Sequence, residues 1–262
     1  MSNAALHVAR TGLDAQQTRM RVIANNLANV NTTGFKRDRA EFETLAYQMM
    51  TAAGATSSGD NRYAIGLNLG TGVQTVGTAR VTTQGSLATT DNPLDLAIEG
   101  DGYFQVVRAD GSTAYTRAGN FHLSAEGKIV TSDGQPLQPE IQIPEGAEAI
   151  TIGSDGTVSA TVAGQTEATE VGRIELARFV NAAGLQALGG NLYAETAASG
   201  SAQVGQAGLE GRGSIRQGAL EGSNVNVVQE LVDMIETQRA YEVNSKMIQA
   251  TDEMLRNANQ QL

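Results

Sequence analysis

Near the start of the chain, apolar residues fall at Leu6, Ala9, Leu13, Met20, Ile23, Leu27 and Val30. With Gln16 counted in the row they alternate three and four residues apart. This is the a/d seam of a heptad pattern with one polar interruption, and it predicts a helix over residues 3–30. Near the other end Val227, Met234, Tyr241, Ile248 and Leu255 recur every seven residues, with Leu231 between the first two. Ala240, Met247 and Met254 form a second row beside them, and the pattern predicts a helix within 223–262. Asn226, followed three residues later by Gln229, resembles a capping box at its start. Each helix carries an apolar stripe that it cannot bury alone. The two are therefore expected to lie antiparallel as a coiled-coil-like pair and to seek further neighbours.

Between these ends the period changes. Phe35, Phe42, Leu45, Met49 and Met50 stand at mixed spacing, and a short helix is expected over 35–50. Residues 51–78 are rich in Gly, Ala, Ser and Thr, the composition of a flexible linker. Yet Tyr63, Ile65, Leu67 and Leu69 alternate, as a half-buried strand does. We expect an ordered extended or hairpin arm whose apolar face a neighbouring subunit covers. From about 73 to 215 short runs of period two, such as Leu94/Leu96/Ile98 and Tyr103/Gln105/Val107, are punctuated by Asp110-Gly111, Glu126-Gly127, Asp133-Gly134, Asp155-Gly156, Ala163-Gly164 and Gly189-Gly190. That predicts an antiparallel β domain, a barrel or an irregular sandwich. No fixed internal repeat indicates a solenoid. The expected class is α+β. Its parts are an N-terminal helix (1–34), a short helix and extended arm (35–78), a β domain (79–215), and a return segment with the C-terminal helix (216–262).

Composition narrows the function. All four prolines (Pro93, Pro136, Pro139, Pro144) lie in the middle, so both helix patterns run unbroken. Net charge is −10, with residues 1–40 at +4 and the remainder at −14. An acidic body argues against nucleic acid as a partner. The chain has no cysteine, which excludes disulfides, thiolate chemistry and Cys-based metal sites. The first 30 residues lack a continuous apolar core, and no window approaches 18 apolar residues. Neither a cleaved Sec-type signal nor a membrane span is expected.

Candidate chemistry is sparse. Gly100-Asp101-Gly102 leads into Tyr103-Phe104-Gln105-Val106, a strand and not a helix, so it reads as a tight turn and not a phosphate loop. His7 and His122 lie in different expected elements, with no local acid or nucleophile pattern. Acidic pairs such as Glu41/Glu43 and Asp252/Glu253 read as solvated surface. The Lys36-Arg37-Asp38-Arg39 cluster is too short for a nucleic-acid tract and is expected to pair with acids of an adjacent subunit. No catalytic, cofactor-binding or metal-binding residue is assigned.

Three blocks carry a family resemblance. Ala24-Asn25-Asn26-Leu27-Ala28-Asn29-Val30-Asn31-Thr32-Thr33-Gly34-Phe35-Lys36 resembles the N-terminal signature of bacterial flagellar rod and hook proteins. Ser223-Asn224-Val225-Asn226-Val227 through Gln238-Arg239-Ala240-Tyr241-Glu242-Val243-Asn244-Ser245-Lys246 resembles the C-terminal signature of the same family. Glu99-Gly100-Asp101-Gly102-Tyr103-Phe104-Gln105-Val106, followed by Tyr115-Thr116-Arg117-Ala118-Gly119-Asn120-Phe121, resembles its central β segment. Chain length and the 47–78 segment are most similar to the distal-rod branch, with Ala4-Ala5-Leu6-His7-Val8-Ala9 a modest departure at the start.

The resemblance implies an axial structural protein and not an enzyme. Such a protein is exported through the flagellar type III apparatus and polymerises into a straight, hollow rod. The rod crosses the periplasm within ring proteins and passes torque to the hook. Its partners would be further copies, other rod proteins, hook protein and ring proteins, with no cofactor. The expected assembly residues are Leu6, Leu13, Met20, Ile23, Asn25, Asn26, Leu27, Asn29 and Val30, the arm residues Tyr63, Ile65, Leu67 and Leu69, and Val227, Leu231, Met234, Tyr241, Ile248 and Leu255. Other readings stay open at this stage: a proximal-rod or hook subunit, a cell-wall hydrolase, or a monomeric binding module.

Overall fold

The computed structural model describes residues 2–58, 61–162 and 168–260. The Ala163-Gly164 turn lies outside them. The fold is α+β, with a helix at each end and a strand-rich middle. The chain divides into a helical unit (1–27, 38–79 and 226–262) and a β unit (28–37 and 80–225).

In the helical unit, α1 spans Ser2–Ala28 and α2 spans Val227–Gln260. At about 1.5 Å per residue they run roughly 40 and 50 Å. The Asn-rich run after Ala28 ends α1, and Gly34 beyond it takes φ +71°. Asn226 caps α2, its Oδ1 accepting from the backbone N–H of Val228 (3.1 Å) and Gln229 (3.2 Å). The Gln229 side chain does not complete a capping box; it turns forward to the Asp233 carboxylate at 3.4 Å.

The expected short helix over 35–50 is absent. Asp38–Thr44 and Tyr47–Thr51 are strands. The first pairs with Val73–Arg80, and the second pairs antiparallel with Leu67–Gly70. Mixed spacing of Phe42, Leu45 and Met49 gives a helix no continuous stripe. Partners some 20 to 35 residues downstream satisfy the backbone as ladders instead. A nested pair, Thr56–Ser58 with Asn61–Arg62, and bonds between Tyr63 and both Gly54 and Ala55 extend the arm as one hairpin.

The β unit is built on a seven-stranded antiparallel sheet. Its strand Tyr103–Val107 pairs along one edge with Thr113–Thr116 and along the other with Glu175–Arg178 and then Leu137–Gln138. Phe104 and Val106 enter a core with Leu96, Ile98, Phe121 and Ile174. Phe104 and Phe121 meet edge to face at 5.1 Å. Tyr103, on the opposite face of the same strand, joins a second cluster with Tyr115, Phe179 and Tyr193. Sheets of two and three strands complete the unit, and no closed barrel forms among the described residues.

Candidate functional site

Three contacts within the helical unit mark where α1 and α2 meet. A Cβ added at Gly12 would lie 3.1 Å from the Asn244 amide nitrogen. Arg19 pairs with Asp233 at 3.6 Å. Asn26 donates to the Glu230 carboxylate at 3.2 Å and to the Asp38 carbonyl at 2.9 Å, and accepts from the Asp38 N–H at 3.0 Å. Residue numbers fall on α2 as they rise on α1, so the two helices run antiparallel. A glycine inside α1 costs about 1 kcal/mol relative to alanine, and here it makes room for a side chain of the facing helix.

Apart from Ile23, the side chains buried at this seam are small or polar. α1 buries Ala9, Ala15, Ile23 and Asn26, and α2 buries Glu230 and Thr237. Of the residues singled out in the sequence, Ile23 and Asn26 are buried, and Leu6, Leu13, Met20, Leu27, Asn29, Val30, Met234 and Ile248 are half-buried. Asn25, Val227, Leu231 and Tyr241 are exposed. The Leu255 side chain lies outside the described residues.

The heptad reading missed a second apolar face of α2. Val228, Leu231, Val232 and Ile235 stand at i, i+3, i+4 and i+7, and all are exposed, Val228 at 71%. At 100° per residue this row centres opposite the Glu230/Thr237 face. The spacing is present in the sequence, one register away from the Val227/Leu231/Met234 row.

The arm is equally bare. Tyr47 and Met49 share one face of its ribbon, and Leu67 and Leu69 share the other. All four are exposed, as are Tyr63 and Ile65, with Ile65 at 83% and Met49 at 68%. A 240 Å³ hollow between His7, Val8 and Ala4 of α1 and Gln48 and Leu69 of the ribbon marks the Leu69 face as the one turned toward α1.

The N-terminal signature ends in the β unit. Gly34 packs so tightly that a Cβ there would lie 2.7 Å from the Ala118 backbone nitrogen. The Lys36 ammonium, 1% exposed, donates to the Glu221 carboxylate at 2.5 Å and to the Thr83 carbonyl at 2.8 Å. Glu221, fully buried, also accepts from the Gly85 N–H at 2.9 Å and faces Arg117 Nε at 3.1 Å. Arg117 donates onward to the carbonyls of Gly100 (2.8 Å) and Gly102 (2.9 Å), so the Gly100-Asp101-Gly102 turn is structural. Burial pulls the Lys36 pKa below 10.5; the Glu221 hydrogen bond opposes this, and the Arg117 charge adds to it. Lys36 thus pairs within its own chain, a correction to the expected partner in an adjacent subunit. No local pattern links positions 36, 117 and 221, which explains why the sequence did not show the group.

His7 approaches the Thr71 carbonyl at 3.3 Å, and His122 lies 3.4 Å from the Ser132 hydroxyl, both at exposed positions. Among the described residues no cluster of His and acids could hold a metal, and no helix is long and apolar enough to cross a membrane.

Comparison with known proteins gives three family matches in chain order. Residues 6–36 match the flagella basal body rod protein family. Residues 97–160 match the flagellar hook protein FlgE/F/G D1 domain. Residues 216–261 match the flagellar basal body rod FlgEFG protein C-terminal family. The chain is 52% identical over 256 residues to the flagellar basal-body rod protein FlgG of Buchnera aphidicola subsp. Schizaphis graminum, covering 98% of each. It is 48% identical to FlgG of Caulobacter vibrioides, again covering 98% of each. Against FlgF of the same organism identity falls to 37%, with 96% of each covered.

Proposed function

This chain belongs to the flagellar rod and hook family of axial proteins and is a structural subunit of the flagellar distal rod; from that premise we propose that it polymerises with itself into a stiff hollow shaft. The observation that carries the proposal is the distribution of side chains in the helical unit. Apart from Ile23, α1 and α2 bury small and polar side chains, while α2 and the arm leave many of their large apolar groups in solvent. Long helices that do not bury their apolar stripes are weakly stable in water and gain from neighbours. In this reading α1 and α2 form an antiparallel coiled-coil-like pair in the tube wall. Leu6, Leu13, Met20, Ile23, Leu27 and Val30 pack with Val227, Leu231, Met234, Tyr241, Ile248 and Leu255, within and between subunits. The amides of Asn25, Asn26 and Asn29 bridge helices, as Asn26 already does to Glu230.

The shaft would carry torque across the periplasm to the hook and enclose the channel through which later subunits pass. Its partners would be other rod proteins, hook protein, the surrounding rings and the type III export apparatus. The arm residues Tyr63, Ile65, Leu67 and Leu69 would brace neighbours, because sliding between subunits would expose their apolar surface.

Electron microscopy of concentrated purified protein tests both parts. Straight filaments are expected from the parent. Deletion of about 15 residues around 55–69 leaves α1 and α2 intact and is expected to give curved or more flexible filaments. A parent that stays monomeric at high concentration overturns the proposal, and a deletion polymer as straight as the parent overturns the role of the arm.

A further inference from the structure

The chain carries seven methionines, and every one falls in a segment of the helical unit. The β unit, residues 28–37 and 80–225, has none. With no cysteine in the chain, all of its sulfur lies in the helical unit. Four of the thioethers are exposed, Met49 at 68%, Met50 at 56%, Met247 at 51% and Met254 at 64%. Met20 and Met234 are half-buried. We propose that the four exposed methionines are oxidation sites that gate self-assembly: a peroxide disables a subunit before it joins a polymer, and a thiol-dependent reductase restores it. The inference rests on the self-assembly proposed above and adds a chemical control at named atoms.

The four sit as two pairs on the two elements whose apolar groups stand bare. Met49 and Met50 belong to the arm strand Tyr47–Thr51. Met49 lies opposite Asn68 and Thr51 opposite Leu67, so Met50 is the extra residue of a bulge, without a partner across the ladder. Met247 and Met254 are seven residues apart on α2, two helical turns, and therefore share a face. A flexible thioether suits a surface that must adapt to neighbours. Left bare before assembly, it is also the group that an oxidant reaches first.

The step is a two-electron oxidation. The thioether sulfur attacks one oxygen of hydrogen peroxide, an S–O bond forms as the O–O bond breaks, and after proton transfer water leaves. Sulfur loses the two electrons that peroxide gains. The product is a polar sulfoxide in place of a flexible apolar side chain, which disrupts methionine-rich interfaces. Covering it without a hydrogen-bond donor is unfavourable. In the return step a reductase dithiol removes the oxygen as water and is itself oxidised to a disulfide. Two reductases are needed, one for each sulfoxide epimer.

Dilute purified parent protein, treated with hydrogen peroxide and then quenched, tests the proposal. Peptide mass spectrometry is expected to find sulfoxide at Met49, Met50, Met247 and Met254 ahead of Met20 and Met234. The critical concentration for filaments should rise at least tenfold, and methionine sulfoxide reductases A and B with dithiothreitol should return it to the parent value. A variant combining Met49→Leu, Met50→Leu, Met247→Leu and Met254→Leu keeps the apolar bulk without the sulfur. It is expected to polymerise like the parent and to do so equally after peroxide. Oxidised parent that polymerises at the untreated concentration overturns the inference, and so does a leucine variant that loses assembly to peroxide. If the leucine variant does not assemble at all, the repair step decides, and oxidised parent that the two reductases fail to restore overturns the inference. An untreated parent that forms no polymer overturns the proposed function itself.

Discussion

Leu27→Asp is expected to abolish polymerisation while leaving the β unit folded. Leu27 is half-buried near the end of α1, beside Asn26, which is buried and bonded to Glu230. A carboxylate here would lie half-buried on a flank that assembly would cover. Burying an unpaired charge costs several kcal/mol. A loss of about 3 kcal/mol at each subunit contact weakens association more than 100-fold. The critical concentration for filaments should rise by at least that factor, and a strain carrying the substitution should be non-motile. The aromatic cluster and the Phe104 core lie in the β unit, so hydrogen-exchange protection of its strands should be unchanged. A motile strain with Leu27→Asp would place this residue outside any interface.

Glu221→Gln is expected to have the largest effect on the β unit itself. Lys36 and Arg117, both almost fully buried, share this one carboxylate. Replacing it by a neutral amide leaves two cations in the interior without that counter-charge. Breaking a buried pair from one side typically costs about 3–5 kcal/mol, a large share of a domain stability of about 5–15 kcal/mol. Urea unfolding should show a stability loss of that size, seen as a lower midpoint with an unchanged slope. The loss should also depend on pH with a definite sign. The folded-state pKa of Lys36 already lies below 10.5, and removing the acceptor lowers it further. The unfolded chain then binds more protons than the folded one, so stability rises with pH. The deficit should therefore be greatest near neutrality and shrink toward about pH 10, as Lys36 sheds its proton in the folded state. A deficit that is flat over this range would mean that Lys36 stays charged in the variant.

What could be read in the sequence was what short-range periodicity encodes. The Leu6–Val30 seam marked α1 because a helix repeats its face within four residues. The Asp110-Gly111 and Glu126-Gly127 pairs marked turns, and both glycines take positive φ, at +79° and +77°. Periodicity failed where a distant strand made the decision. Tyr47–Thr51 is a strand because Leu67–Gly70 pairs with it, and no local pattern states that. It failed again at Lys36, whose partner stands 185 positions away. On α2 the misreading had another cause. More than one apolar row runs along this helix, and the sevenfold row is more regular than the Val228–Ile235 row.

The polar knot around Glu221 bears on how the β unit would respond to pulling. The chain leaves this unit after residues 37 and 225 and enters it again at 80. All three points adjoin the knot. Gly34 donates to the Glu221 carbonyl at 2.7 Å, Val81 donates to the Arg37 carbonyl at 2.9 Å, and Asn224 Oδ1 accepts from the Arg37 N–H at 2.8 Å. The Asn224 amide holds the Val81 and Thr83 carbonyls at 2.9 and 3.0 Å. Force entering through these strands would load the bonds side by side, so that none opens until the group yields together. Bonds loaded one after another would unzip at far lower force. Resistance to pulling is set by the rate of unfolding and not by equilibrium stability, so the placement of these contacts at the exits counts for more than their number.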